Sequence, residues 1–155
     1  MSEIFPKGFI NLTVEDIITG NIIANISKSN TVVNKGKQIL AMAMANQFAS
    51  YNFYISKMVF GTGGEDGTIP KTIDINREDI YNSVLEVPVS PEWNIGYKTR
   101  FKCTGVISTT DCNSMRINEA GLKTEEGELF SMVTFSGLTK SSELKFTLNW
   151  TIVFA

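Results

Sequence analysis

The sequence predicts a mainly β protein, an antiparallel β-sandwich of seven or eight strands with one α-helix near residues 35–49. Three observations carry this expectation. Leu144, Phe146, Leu148, Trp150, Ile152 and Phe154 fall at every second position, with Lys145, Thr147, Asn149 and Thr151 between them. A period of two sends one set to each face of a pleated strand, so this stretch reads as a long strand with a heavy apolar face. Shorter runs of the same character recur along the chain between turn residues, the pattern of a sandwich. Only one segment, at 35–49, is rich in the strong helix formers Ala, Met, Leu, Lys and Gln.

Taken in order, residues 8–27 read as a hairpin. Ile10, Leu12 and Val14 alternate with Phe9, Asn11 and Thr13; Thr19-Gly20-Asn21 supplies a turn able to take positive φ; Ile22, Ala24 and Ile26 continue beyond it, with Ile23 on the opposite face. Asn34 is placed to cap the helix, whose apolar face combines Ile39, Leu40, Ala43 and Phe48, widened by Met42 and Met44. Those methionines are read as core packing in preference to an adaptable binding surface. Residues 55–60 form a strand. The run Gly61-Thr-Gly-Gly-Glu-Asp-Gly-Thr68 then reads as a mobile or tightly turned surface loop, and residues 69–83 as a polar connection. Further strands are expected at 84–89 (a short edge strand), 97–107, 115–120 and 129–135, before the last at 144–154. On the strand at 97–107, Tyr97, Thr99, Phe101 and Cys103 share one face.

The chain has 155 residues, 43% of them hydrophobic and 19% charged, with no linker and no clean internal repeat. One domain over 1–155 is expected, large enough to bury roughly 70% of its unfolded surface. Fourteen basic against sixteen acidic residues give a net charge of −2 and no basic cluster, which argues against nucleic-acid binding. No apolar run reaches the length that spans a bilayer, and the first residues lack the basic-then-apolar order of a signal peptide, so no membrane association is expected and synthesis in a cytoplasm is. In that compartment Cys103 and Cys112 are expected as free thiols, although a hairpin disulfide is conceivable.

Histidine is absent, which removes the commonest general base and zinc ligand. The glycine-rich loop lacks the Gly-Lys-Ser/Thr entry into a helix that a phosphate loop needs, and Glu65 and Asp66 lack the spaced oxygen ligands of a calcium loop. Asp74, Glu78 and Asp79, like Glu125, Glu126 and Glu128, cluster as glycosidase carboxylates would, but each group sits in a polar stretch and reads as solvated charge. Neither a catalytic residue nor a cofactor or metal site is expected. Tyr51, Phe53, Tyr54 and Trp93 are candidates for facing a partner or a sugar, but an apolar plug closing the end of the sandwich is the preferred reading.

One set of spaced residues carries a resemblance. Arg116-Ile-Asn-Glu-Ala-Gly-Leu122, Leu129-Phe130, Phe135-Ser136, Leu138, Lys140 and Trp150-Thr-Ile-Val-Phe154, with Asn30-Thr-Val-Val-Asn34 and residues 55–64 upstream, resemble small structural proteins of tailed-bacteriophage virions. The resemblance covers roughly residues 8–154. It implies a non-enzymatic virion protein, made in the host bacterial cytoplasm, that forms a homo-oligomer and docks on other virion proteins in the neck, tail or fibre-attachment region. A capsid decoration protein and a receptor- or carbohydrate-binding module are the alternatives.

The same residues imply physical roles. Glu119, Ala120, Gly121 and Leu122 would form a corner between strands, with Gly121 at positive φ, Leu122 re-entering the core, and Glu119 accepting backbone amides or pairing with Lys140 or Arg116. Phe101, Phe135, Phe146, Leu148, Trp150, Ile152 and Phe154 would anchor the core.

Overall fold

The computed structural model describes residues 6–46, 48, 50–93, 96 and 98–154. Eight strands of six or more residues form the body: β1 (Lys7–Asp16), β2 (Ile22–Ser29), β4 (Ile55–Gly61), β7 (Ser83–Pro88), β9 (Arg100–Ile107), β10 (Arg116–Thr124), β11 (Leu129–Thr139) and β12 (Leu144–Val153). Four two-residue strands, β3 (Thr31–Val32), β5 (Glu65–Asp66), β6 (Ile69–Pro70) and β8 (Glu92–Trp93), and one helix, α1 (Asn34–Met44), complete it. Two five-stranded antiparallel sheets result, β2-β1-β12-β9-β8 and β3-β11-β10-β4-β7. This is the expected β-sandwich with one helix, and β7 lies at a sheet edge as anticipated.

β12 is central in the first sheet because its alternation matches both neighbours. Ile10 faces Trp150 on one side and Cys103 faces it on the other; Leu12 and Leu148 meet in the same register. Phe146, Leu148, Trp150 and Ile152 are fully buried and meet Met58, Phe60, Ala120, Leu122, Val133 and Phe135 of the second sheet in one core. The indole N–H of Trp150 has no hydrogen-bond partner among the described residues. Trp150 therefore anchors the core by shape and apolar area alone.

The second sheet is buried on both faces. Ile117 through Leu122 are buried without alternation, because the segment between β4 and β7 folds over the outer face. There Ile80, with Ile73 and Tyr81, packs on Val33, Val59, Leu129 and Met132 as a smaller second core. A strand covered on both sides loses its period-two signature. The polar composition of residues 69–83 concealed this role, since two isolated isoleucines do most of the covering.

Several local expectations are corrected. The helix ends at Met44, short of residue 49, because Asn46 and Phe48 take positive φ (54° and 59°). Its N-cap is Val33, and no side chain caps it, so Asn34 is the first helical residue. Only Gly36 and Ile39 are buried on it, while Ala43, Met44 and Phe48 are exposed and Met42 is half-buried. Gly121 lies inside β10, not at a corner, and φ is not its reason. A Cβ there would approach Leu129 Cδ1 to 2.8 Å and Ile80 Cγ2 to 2.9 Å, so glycine makes room for the second core. Ile22, expected on the core face, is exposed at 55%. Tyr97 lies outside the described residues. Cys103 and Cys112 are both free thiols; burial pushes Cys103 up to about 12.

Candidate functional site: a polar clamp and an open apolar cleft

The implied corner residues build a clamp. Glu119 is fully buried in β10, between β4 and β11. Its Oε1 accepts the amide of Tyr81 (2.7 Å), and its Oε2 accepts those of Gly63 (2.9 Å) and Asn82 (2.8 Å). Glu119 thus does accept backbone amides, but they belong to two loops distant in sequence, and neither Lys140 nor Arg116 pairs with it. Beside it Asn118, also buried, accepts the Gly64 amide at 2.7 Å and donates to Thr62 O and to Glu65 Oε1.

Glu65 completes the clamp. Arg116 grips it through two N–H groups, at 2.8 and 3.0 Å, and the Gly137 amide donates to Oε2 at 3.0 Å. The Arg116 hydrogen bonds, with help from Gly137 and Asn118, hold the Glu65 carboxyl at about 2 against the opposing effect of burial. The glycine-rich run is therefore fastened at Gly63, Gly64 and Glu65 and turns tightly at Gly67 between β5 and β6, so of the two expected alternatives it is the tight turn and not the mobile loop. Every carboxylate oxygen of Glu65 and Glu119 accepts a hydrogen bond from the protein.

Lys140 is fully buried on its own. Its Nζ donates to Asn113 Oδ1 (3.0 Å) and Ser141 O (2.9 Å), while its backbone exchanges hydrogen bonds with Ser114 and Met115. Burial pushes its ammonium down, and nearby Cys112 and Asp111 oppose that. It stitches the polar turn after β9 to the end of β11. The carboxylates at 74, 78 and 79 are exposed, and those at 125, 126 and 128 are taken by Ser56, Asn52 and Lys35. Among the described residues no group of three or more His, Cys, Asp or Glu side chains could hold a metal ion, and no helix is long and apolar enough to cross a membrane.

The second feature lies where β12 ends and β9 begins. Phe101 and Phe154, expected among the core anchors, are half-buried there, with ring centroids 6.4 Å apart. The other anchors, Phe135, Phe146, Leu148, Trp150 and Ile152, are buried as expected. Phe101 and Phe154 help to line a cleft of about 290 Å³ between the sheets. Ile39 and Leu40 of α1, Phe130, Phe53, Tyr54, Ile55, Pro91 and Trp93 line the rest of it. The Tyr51 ring lies 4.7 Å from that of Phe53.

Three of the four aromatics anticipated as partner-facing thus share one cleft, and the fourth supports it. Tyr54 is exposed at 56% and Trp93 at 63%. The Trp93 indole donates to Lys98 O at 2.9 Å, which helps to hold the ring. An open apolar hollow rimmed by aromatics suits the capture of an apolar side chain. Comparison with protein-family models, with curated proteins and with solved structures finds no match to this chain.

Proposed function

We propose that the chain is a non-enzymatic structural protein of a tailed-bacteriophage virion, which works by self-association and by docking on other virion proteins in the neck, tail or fibre-attachment region. The likeness of residues 116–122, 135–140 and 150–154 to such proteins supports the class. The open cleft beneath Trp93 is the observation that carries the docking role, because exposed aromatics around a hollow are what an interface anchor needs. The carboxylates most withdrawn from water serve the fold, which supports a role without chemistry.

A carbohydrate module has less support. A sugar site sets polar partners beside its aromatic faces, whereas this cleft is walled almost wholly by apolar side chains and its rim indole is already spent on Lys98. Immunogold labelling of purified virions tests the reading. Label at the neck or tail is expected; label over the head would make it a capsid decoration protein, and its absence from particles would overturn the virion role.

A further inference from the structure

Lys140 is the one lysine or arginine among the described residues that the fold withdraws fully from water. Its Nζ meets two acceptors, Asn113 Oδ1 at 3.0 Å and Ser141 O at 2.9 Å, and none of the ion pairs among the described residues includes it. An ammonium carries three donors, whereas a neutral amine has two and a lone pair. Two acceptors in a dry setting suit the neutral amine. Burial pushes the ammonium down in the same sense, against the opposing charges of Cys112 and Asp111. A neutral, desolvated lysine amine is a nucleophile.

A constrained turn presents Asn113 to that amine. Cys112 and Ser114, on either side of it, hold φ at 58° and 73°, a region costly for residues other than glycine. The Ser114 amide donates to Lys140 O at 2.8 Å and the Lys140 amide to Met115 O at 2.9 Å, so backbone bonds brace the two segments where the side chains meet. Asn113 Nδ2 donates to Thr109 O at 3.0 Å, which turns Oδ1 toward Lys140 and the amide nitrogen away from it. Since a C=O bond is about 1.23 Å long, Cγ of Asn113 lies no farther than about 4.2 Å from Nζ. A small side-chain rotation brings that pair to the roughly 3–3.5 Å of reacting atoms. Asn113 itself is exposed, so a departing group has a way out.

We propose that Lys140 and Asn113 join in an intramolecular isopeptide bond, a cross-link from the turn after β9 to the end of β11. Nζ attacks Cγ of Asn113, and the C=O electron pair moves onto Oδ1. As the carbonyl re-forms, the Cγ–Nδ2 bond breaks and Nδ2 leaves as ammonia with a proton that came from Nζ. Nothing is oxidised or reduced, and no co-reactant is needed. Asp111, in the same turn and near enough for its charge to act on Lys140, carries that proton. Its Oδ2 accepts the Ser108 hydroxyl at 3.0 Å, which steadies the carboxylate. Cys112 does not compete, because burial pushes its thiol up and keeps it protonated.

The bond forms once in each molecule and turns over no substrate, and it is independent of the virion reading. Its ends are 27 positions apart. Closing a loop of that length should raise the folding equilibrium constant roughly 400-fold through the lost freedom of the unfolded chain.

The test is the intact mass of the purified full chain after incubation at neutral pH. A mass about 17 Da below that of the sequence, the loss of one ammonia, is expected. In a tryptic digest, peptide 103–116 should then be joined to peptide 124–145, left uncut after Lys140 because its amine is acylated. K140R and N113A should keep the full mass and lack the branched peptide. Asn113 is exposed, so N113A carries the comparison whether or not K140R folds. D111N should keep its circular dichroism and form the link roughly 100-fold more slowly. A wild-type chain that is folded and still at full mass after days, or the same mass loss carried by an unbranched peptide, would overturn the cross-link. D111N linking at the wild-type rate would remove Asp111 from it.

Discussion

The polar clamp around Glu119 and the apolar cleft beneath Trp93 handle burial in opposite ways. In the clamp, carboxylates are withdrawn from water and each oxygen meets a donor. In the cleft, large aromatic side chains are held partly exposed among the described residues. Buried charge without partners costs far more than it returns, so the clamp exists only because its pairing is complete. Exposed apolar area costs less and is kept where a second surface will remove it from water. The clamp is thus a device of stability, and the cleft is the surface proposed for docking.

The largest effect expected from that contrast is at Glu119. Glu119→Ala strands the amides of Gly63, Tyr81 and Asn82, and should lower unfolding free energy by about 3 kcal/mol or more in urea titrations. Glu119→Gln keeps the shape and one acceptor oxygen but turns an NH₂ group toward an amide donor, so about 1–3 kcal/mol should be lost. A neutral result for both would remove the clamp as a stabilising device.

Next is the acid response of Glu65. Its folded carboxyl is held at about 2 against an ordinary 4.5. A depressed folded value contributes stability that is fully present above the ordinary one and is lost as pH falls from about 4.5 toward 2. Urea midpoints should therefore fall between neutral pH and pH about 3 in the wild type, and fall less in Glu65→Gln, which is already destabilised. Equal pH sensitivity in the two proteins would place the acid response elsewhere.

The smallest stability effect is expected in the cleft. Trp93→Ala should change unfolding free energy by no more than about 0.5 kcal/mol, whereas Trp150→Ala in the core should cost about 3–5 kcal/mol. A large loss at Trp93 would mean that the cleft wall stabilises the fold and is not held in reserve for a partner.

Much of the architecture was legible in the residues. The strands of the first sheet, the helix and the buried face of β12 follow from alternation and helix propensity, and the doubly covered strands from apolar runs between turn residues, all of which act locally. The aromatics at 51–54 and 93 were legible as candidates, but their meeting in one cleft was not, because α1, β8 and the ends of β9 and β12 come together only across the sandwich. The clamp was half legible. Glu119 was singled out, but its amide donors lie 37 to 56 residues away. Glu65 read as loop charge until Arg116, 51 residues on, supplied its partner.

The first hairpin shows a different limit. Ile22 has the composition of a core residue, but it lies beyond a register shift in the edge strand β2, and an alternation pattern does not reveal such a shift.

By itself, then, the sequence determined the mainly β class, the strand order in the chain and the large side chains that fill the core, since each depends on periodicities a few residues long. Only the tertiary structure decided that the glycine-rich loop is clamped, that Gly121 is a matter of space, and that apolar side chains stay exposed among the described residues at both ends of one sheet. Those outcomes depend on which distant groups meet, and burial, pairing and exposure are properties of that meeting.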